Sequence, residues 1–257
     1  MAIITLISDW GLKDYYVAAV KGKIHKLLPE ARVIDITHEI PAFDEEQAAY
    51  VLKNAYQSFP DGTIHIIGVN TEESSNHPHI VTQYENQFFI GTDNGIFSLI
   101  FEKEPEQVIV LDIPNESDHF TFSGRDRFVS AAVHLAKGGK ISELGEEKGN
   151  IESKMLFNPV VNEKSIRGQV VYIDRYENLI TNISRTLFRE KVKNNKFTIS
   201  LRSGQANKIY DAYDDVPPGE IVALFSSDSM LEIAINKGHA ASLLGIQRKF
   251  PVIIEIG

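Results

Sequence analysis

Five stretches of the chain combine residue types that can do chemistry. SDWGLKD, residues 8–14, carries two carboxylates around a glycine. At the end of a strand, Asp9 can accept two hydrogen bonds from a ribose diol. Asp14 can pair with an ammonium or cap the following helix, and the motif leaves both readings open. TFSGRDRFVSAAVHLAKG, residues 121–138, places a glycine and backbone amides at a helix start, where a polarised or anionic atom is favoured; His134 within it reads as a packed core histidine. In VYIDRYENLITNIS, residues 171–184, Asp174 and Asn178 flank a tight polar turn that a plain hairpin would also explain. In FSSDSMLEIAINKGHAASLLG, residues 225–245, Ser227 and Glu232 border a strand, and alternation with Leu231 and Ile233 puts Glu232 on the exposed side. VNTEESSNHPHI, residues 69–80, holds His77 and His79, which at i and i+2 on a strand share a face. With Glu72 or Glu73 they sketch a metal site that lacks further spacing logic.

Positioning these residues requires two kinds of architecture. The first half alternates β-branched runs with helical patterns: AIITLIS, DYYVAAVKGKIHKLL, RVIDIT, DEEQAAYVLKNAYQSF and TIHIIGV. This rhythm implies βαβ units and a mostly parallel sheet. The first helix, from Asp14, aligns Val17, Val20, Ile24 and Leu27 or Leu28 and stops at Pro29. The second faces Ala48, Val51, Leu52 and Ala55 inward, with Asp44, Glu45 and Glu46 in its first turn. Paired strands around YENQ follow, then a short helix after Asn94-Gly95 and a longer one from RDRF. Residues 140–166 read as a linker. Thereafter QVVYIDR, LITNIS, KFTISLRSG, KIYDAY, EIVALFSS, MLEIAIN and PVIIEIG read as strands. The expectation is two domains: an α/β domain over 1–160 and an all-β barrel over 161–257.

Composition narrows the function classes. The 257 residues carry a net charge of −9, which argues against nucleic acid as a partner, and the basic run REKVKNNK, 189–196, reads as a solvated helix end. With no cysteine, disulfides, thiolate metal sites and a cysteine nucleophile are excluded. No window approaches the length of an apolar membrane span, and MAIITLISDWG lacks the features of a signal peptide, so a cytoplasmic location and no membrane partner are expected. The absence of GxGxxG and P-loop patterns means that a ligand need not carry phosphates.

In order along the chain, SDWGLKDYYVAAVKG, PAFDEEQAAYVL, TDNGIF, FSGRDRF, IDRYENLITNI and LEIAIN resemble the S-adenosylmethionine hydroxide adenosyltransferase family, whose relatives include fluorinase and chlorinase. The resemblance spans nearly the whole chain. It implies an α/β domain followed by a β-barrel, and a homotrimer that binds S-adenosylmethionine between the N-domain of one subunit and the C-domain of its neighbour. It also implies in-line attack on the ribose C5' with methionine leaving, and no cofactor or metal. Asp9 then matches the ribose carboxylate, Asp14 a residue near the methionine amino group, and Phe43 an aromatic wall. Phe122 and Gly124 match the loop beside the nucleophile. Asp174 matches the contact to the methionine ammonium, Asn178 the reader of adenine, and Ser227, Glu232 and the Ile235 backbone further ligand contacts.

The departures bear on the chemistry. Family members that transfer hydroxide carry an Asp-Arg-His set for activating water, and the corresponding positions read Asn70, His77 and Ser123. These are the candidate catalytic positions. Asn70 cannot take a proton and Ser123 can only orient, which leaves His77, or His79 beside it, as a substitute base. The resemblance implies an S-adenosylmethionine hydrolase giving adenosine and methionine. The substitutions keep open a paralogue that binds S-adenosylmethionine or an adenosine compound without turnover, and Ser123 and Gly124 keep open halide transfer.

Overall fold

The computed structural model describes residues 2–114, 121–155 and 157–257. Met1 and Leu156, at the start of the expected first domain and inside the expected linker, lie outside the described residues. The chain divides into two compact units, Met1–Leu156 and Phe157–Gly257.

In the first unit the order is β1 (Ile3–Ser8), α1 (Tyr16–Leu27), β2 (Arg32–Thr37), α2 (Glu45–Tyr56), β3 (Ile64–Gly68), β4 (His79–Tyr84), β5 (Gln87–Thr92), α3 (Ile96–Ile100), β6 (Gln107–Leu111), α4 (Val129–Ala136) and β7 (Gly145–Glu147). The strands form one sheet in the order β2-β1-β3-β5-β4-β6-β7. The sheet is mixed and mostly parallel. β2, β1, β3 and β5 run parallel, β4 and β7 run the other way, and β6 rejoins the first direction. The reversal at β4–β5 comes from a two-residue turn in which Glu85 and Asn86 both take left-handed backbone (φ 48 and 60).

β1 lies inside the sheet, next to the edge strand β2, and both of its faces are covered. Ile4 and Leu6 pack with Val20 and Ile24 of α1 and Ala131 and Leu135 of α4. Ile7 packs on the opposite face with Ala48, Ala49 and Leu52 of α2 and Phe97 and Ile100 of α3. That two-sided burial is why IITLIS reads as a continuous apolar run rather than an alternating one. The expected linker is partly ordered into the sheet. β7 pairs with β6 and contains Gly145, where a Cβ would sit 1.9 Å from the Val110 carbonyl oxygen. Lys148 then pairs with the fully buried Asp93 carboxylate.

The second unit contains β8 (Val160–Val161), β9 (Ser165–Ile173), β10 (Leu179–Ser184), α5 (Arg185–Val192), β11 (Phe197–Ser200), β12 (Gln205–Ala206), β13 (Ile221–Phe225), β14 (Met230–Ile235), α6 (Ala240–Leu244) and β15 (Pro251–Ile256). Its antiparallel sheet runs β12-β11-β15-β9-β10-β14-β13, with β8 on β9, and curls until β12 comes against β13. The corner lies in β9, which pairs with β15 through Ser165–Gln169 and with β10 from Val170 onward. At Gly168 a Cβ would lie 2.5 Å from Asn182 Oδ1 and 2.6 Å from Ile183, so the bend depends on glycine.

The expectation of an all-β second domain is corrected by two helices. Ser184 Oγ accepts the Leu187 amide at 3.2 Å and starts α5, whose Phe188 and Val192 enter the barrel core. The basic residues Arg189 and Lys191 occupy its last turn. KIYDAY is likewise not a strand. The Asp215 carboxylate accepts the amides of Asp211 and Ala212, both at 3.1 Å, so those donors do not enter a ladder. Among the described residues no helix is long and apolar enough to cross a membrane.

One buried polar chain crosses the α/β core. Thr5 Oγ1 lies 2.6 Å from His65 Nδ1, and His65 Nε2 lies 2.7 Å from Gln87 Oε1. An amide oxygen only accepts, so Nε2 carries the proton and Nδ1 accepts from the threonine. Burial pushes His65 down to about 4, partly opposed by the Gln87 bond. The unfolded chain therefore binds a proton that the folded chain refuses between the ordinary histidine value and about 4. Stability is full above about pH 6.5 and falls by roughly 3 kcal/mol as pH drops toward 4. Urea unfolding should give a lower midpoint at pH 4.5 than at pH 7.5, while the His65 ring nitrogens keep predominantly neutral NMR shifts across that interval and begin to move only near its lower end. A ring that protonates near pH 6.5 in the folded protein would contradict this.

Candidate active site

The carboxyl ends of β1, β2 and β3 carry the first group of candidate residues, the end of an open α/β sheet where ligands bind. Asp9 follows β1. Its Oδ2 accepts the Phe43 amide at 3.0 Å and the Asn70 amide at 3.4 Å. Both donors sit in left-handed backbone, with φ 62 at Phe43 and 47 at Asn70. Asparagine tolerates that conformation and phenylalanine does not, so the turn before α2 is strained in order to aim an amide. The Phe43 side chain is exposed. Among the described residues Asp9 Oδ1 has no partner, leaving an acceptor for a ligand hydroxyl.

Asn70 is held through its side-chain nitrogen and its backbone. Its Nδ2 donates to Glu45 Oε1 at 2.6 Å, its carbonyl accepts from Asn94 Nδ2 at 3.4 Å, and Glu45 Oε2 lies 3.3 Å from Lys154 Nζ. Burial tends to raise the Glu45 carboxyl, but bonds from Asn70 and its own amide and the charge of Lys154 outweigh it and hold it below the usual carboxylate range.

Beside Asp9, the indole of Trp10 fills a slot between two glycines. A Cβ at Gly68 would lie 2.4 Å from the ring, and one at Gly124 2.7 Å from it. Phe122 meets the indole edge-on at 5.6 Å and also meets Tyr16 at 5.2 Å. His38 lies parallel to the indole, with ring centres 6.4 Å apart. Its Nδ1 is 2.6 Å from Ser8 Oγ, and its Nε2 is 3.1 Å from Asp35 Oδ1, close enough for ionic contact but off the line of a hydrogen bond. Ser123 is buried at the start of a π-helical turn, Gly124–Phe128, that leads into α4. Wide turns of this kind occur often at functional sites.

The histidines of the 69–80 loop part company. His77 is exposed, with its amide on the Ser74 carbonyl oxygen and Oγ, both at 3.1 Å. His79 is buried. Its Nε2 donates to the Thr71 carbonyl at 2.9 Å, and its Nδ1 receives Arg127 Nη1 at 3.0 Å. Arg127 also binds Glu73 Oε2 and the Leu111 carbonyl, each at 2.5 Å. Both His79 ring nitrogens are thus engaged and the ring is buried, with its pKa lowered by burial, so no nitrogen is free to take a proton from water and the reading of His79 as a substitute base is corrected. His77 is exposed in a turn outside β4 while His79 is buried on it, so the two do not share a face, and among the described residues no group of three or more His, Cys, Asp or Glu is placed to hold an ion. His134, by contrast, is only partly buried, and its Nε2 lies 3.1 Å from both the Lys140 carbonyl and Glu143, beyond the end of α4, so it is not the core residue expected. Asp14 is exposed and does not cap α1, whose N-cap is Tyr15 without a side-chain bond.

The second group lies wholly in the β unit. Asp174 Oδ1 accepts the Tyr176 amide at 2.9 Å and the Asn178 amide at 2.8 Å, and Oδ2 accepts Asn178 Nδ2 at 3.1 Å. This fixes the orientation of the Asn178 amide. Glu177, at φ 63, accepts the Ser242 amide at 2.9 Å and so holds the start of α6. Ser227 is exposed in the turn between β13 and β14, and Ile235 is buried at the end of β14. Glu232 is buried, only 4% exposed, which corrects the expectation that it faces solvent. The Tyr213 hydroxyl donates to its Oε1 at 2.7 Å from a short 3-10 turn that covers this face. Burial raises the Glu232 pKa, and the charges of Asp174 and Asp228 add to the rise. These three acids form a patch of negative potential suited to an ammonium group.

Sequence reasoning passed over Trp10, Glu45, Lys154 and Tyr213. Trp10 is the only tryptophan in the chain and lies inside a quoted motif, which was a usable signal. Lys154 and Tyr213 reach their partners only through tertiary contacts.

Residues 4–145 match the SAM hydroxide adenosyltransferase N-terminal domain, and residues 168–253 match the corresponding C-terminal domain. The chain is 30% identical to a protein of Thermus thermophilus named (R)-S-adenosyl-L-methionine hydrolase, over 98% of this chain and 99% of that protein. It is 22% identical to a fluorinase of Nocardia brasiliensis over 99% of this chain and 97% of the relative. An uncharacterized conserved protein from Thermotoga maritima of known crystal structure superposes with a TM-score of 0.89 at 30% identity, covering 98% of this chain and 99% of that one. With both halves matched in order, the chain belongs to the SAM hydroxide adenosyltransferase family.

Proposed function

We infer that the chain hydrolyses S-adenosylmethionine to adenosine and methionine, with water attacking the ribose C5' in line with the sulfonium. The observation that carries this reading is the Asp9 carboxylate, which is fixed through Oδ2 by two backbone amides and keeps Oδ1 for a ribose hydroxyl. It is supported by the full-length similarity to a named hydrolase. As the carbon–oxygen bond forms, the carbon–sulfur bond breaks, and the electron pair returns to sulfur to give a neutral thioether. The attacking water finally releases one proton. No acid is needed at the leaving group, so the protein's tasks are alignment and exclusion of bulk water. The Trp10–Phe122 wall between Gly68 and Gly124 suits the second task.

In this reading Asp9, Phe43, Asn70, Phe122, Ser123 and Gly124 serve the ribose and nucleophile. Asp174 and Glu232 serve the ammonium with Asp14 near it, Asn178 serves adenine, and Ser227 and the Ile235 backbone supply further ligand contacts. The family's shared-site arrangement then calls for a homotrimer, which sedimentation at micromolar concentration would register. No metal or cofactor takes part.

A binding-only paralogue is the second reading. It is favoured by the exposed, solvent-facing His77 and by the buried His79, whose two ring nitrogens are both hydrogen-bonded, so that neither histidine of the 69–80 loop is placed as a base.

Two outcomes follow. Chromatography of the protein incubated with S-adenosylmethionine should show adenosine and methionine in equal amounts. Asp9→Asn should lower kcat/KM by roughly 100-fold, the loss expected for charge-assisted hydrogen bonds. Tight binding by calorimetry without adenosine would establish the second reading instead. Separately, Glu232→Gln keeps an acceptor for Tyr213 while removing a buried charge beside two acids. It should raise the melting temperature at pH 7.5, by about 1 kcal/mol of stability, and weaken binding of methionine. Unchanged methionine affinity would remove Glu232 from the ammonium site.

A further inference from the structure

Glu45, Asn70 and Lys154 form a hydrogen-bonded row that ends beside Asp9. Lys154 Nζ is 3.3 Å from Glu45 Oε2, Glu45 Oε1 is 2.6 Å from Asn70 Nδ2, and the Asn70 amide is 3.4 Å from Asp9 Oδ2. An ionised carboxylate can only accept, so the Asn70 carboxamide must turn its nitrogen toward Glu45. Its oxygen is thereby turned away from Glu45, and among the described residues Oδ1 has no partner. The row is anchored at its far end as well, since the Lys154 amide donates to Ser98 Oγ at 2.9 Å and the Lys154 stem lies against Gly95. An aspartate at position 70 would place two carboxylates 2.6 Å apart and force one of them to hold a proton, so an ionised acid at 45 is matched to the amide at 70.

We propose that Glu45, braced by Lys154, is a positioning residue that locks the Asn70 carboxamide with Oδ1 outward, where it accepts a hydrogen bond from the attacking water. This deepens the hydrolase reading and rests on it. Asn70 takes no proton at any stage. It directs one water hydrogen, so that a water lone pair faces C5', and the proton lost after attack passes to solvent. The carboxylate that matters therefore comes from the first turn of α2 rather than from the loop after β3, and it acts through an amide.

The test is a reciprocal exchange. Glu45→Gln frees the Asn70 amide to flip. Asn70→Asp sets two acids against each other. The double variant Glu45→Gln/Asn70→Asp restores a donor–acceptor pair with an oxygen still outward. Adenosine release and melting temperature are measured for wild type and all three, together with the Asn70 side-chain amide resonance in wild type and Glu45→Gln. Each single variant should lose about 10- to 100-fold in kcat with KM within about threefold, and the double variant should regain most of that loss. The Asn70 amide resonance should shift in Glu45→Gln. Wild-type kcat in a folded Glu45→Gln, an unmoved Asn70 resonance, or a folded double variant no faster than the singles would overturn the proposal while leaving hydrolysis standing. Absence of adenosine from the wild type would instead defeat the hydrolase reading and the inference with it.

Discussion

The clamp on Asp9 is the constraint on which the rest of the site depends. One carboxylate oxygen takes two backbone amides that arrive from different loops, Phe43 before α2 and Asn70 after β3. Those loops meet because β2 and β3 flank β1 in parallel register, with Ser8 opposite Gly68 and Ile7 opposite Thr37. Two left-handed residues hold the donors in place, and backbone strain of this kind costs of order 1–3 kcal/mol per residue, least at asparagine. A fold tolerates that cost where it fixes a functional group. Here it fixes an acceptor whose second oxygen stays available.

Much of the scaffold is legible in the sequence because its signals are local. The run RVIDIT coincides with β2 and AIITLIS exceeds β1 by one residue, and the Val17, Val20, Ile24 stripe is the buried face of α1. The signals fail where a distant group intervenes. Alternation along β14 assigns Glu232 to solvent, but Tyr213, nineteen residues earlier, covers it. KIYDAY has strand composition, yet Asp215 captures its amides before a ladder can form. β7 is a three-residue edge strand, GEE, with no apolar pattern to announce it.

The candidate site divides in the same way. Asp9, Phe122, Ser123 and Gly124 sit in recognisable motifs at strand ends and helix starts. Glu45 reads as an ordinary first-turn acid, and Lys154 lies in a stretch that looked like linker. Their pairing over more than a hundred residues of sequence gives the 69–80 loop its order at Asn70. The loop's other end is fixed by Arg127, which holds Glu73 and His79. A loop whose histidines invite a base or a metal is thus built as a structural strap around one amide.

The most direct test of this account is a crystal structure of the protein with adenosine and methionine. The account predicts a ribose hydroxyl within hydrogen-bond distance of Asp9 Oδ1, with Oδ2 still held by the amides of Phe43 and Asn70. A nucleoside bound away from Asp9, or bound there only after those two amides have left Oδ2, would contradict it.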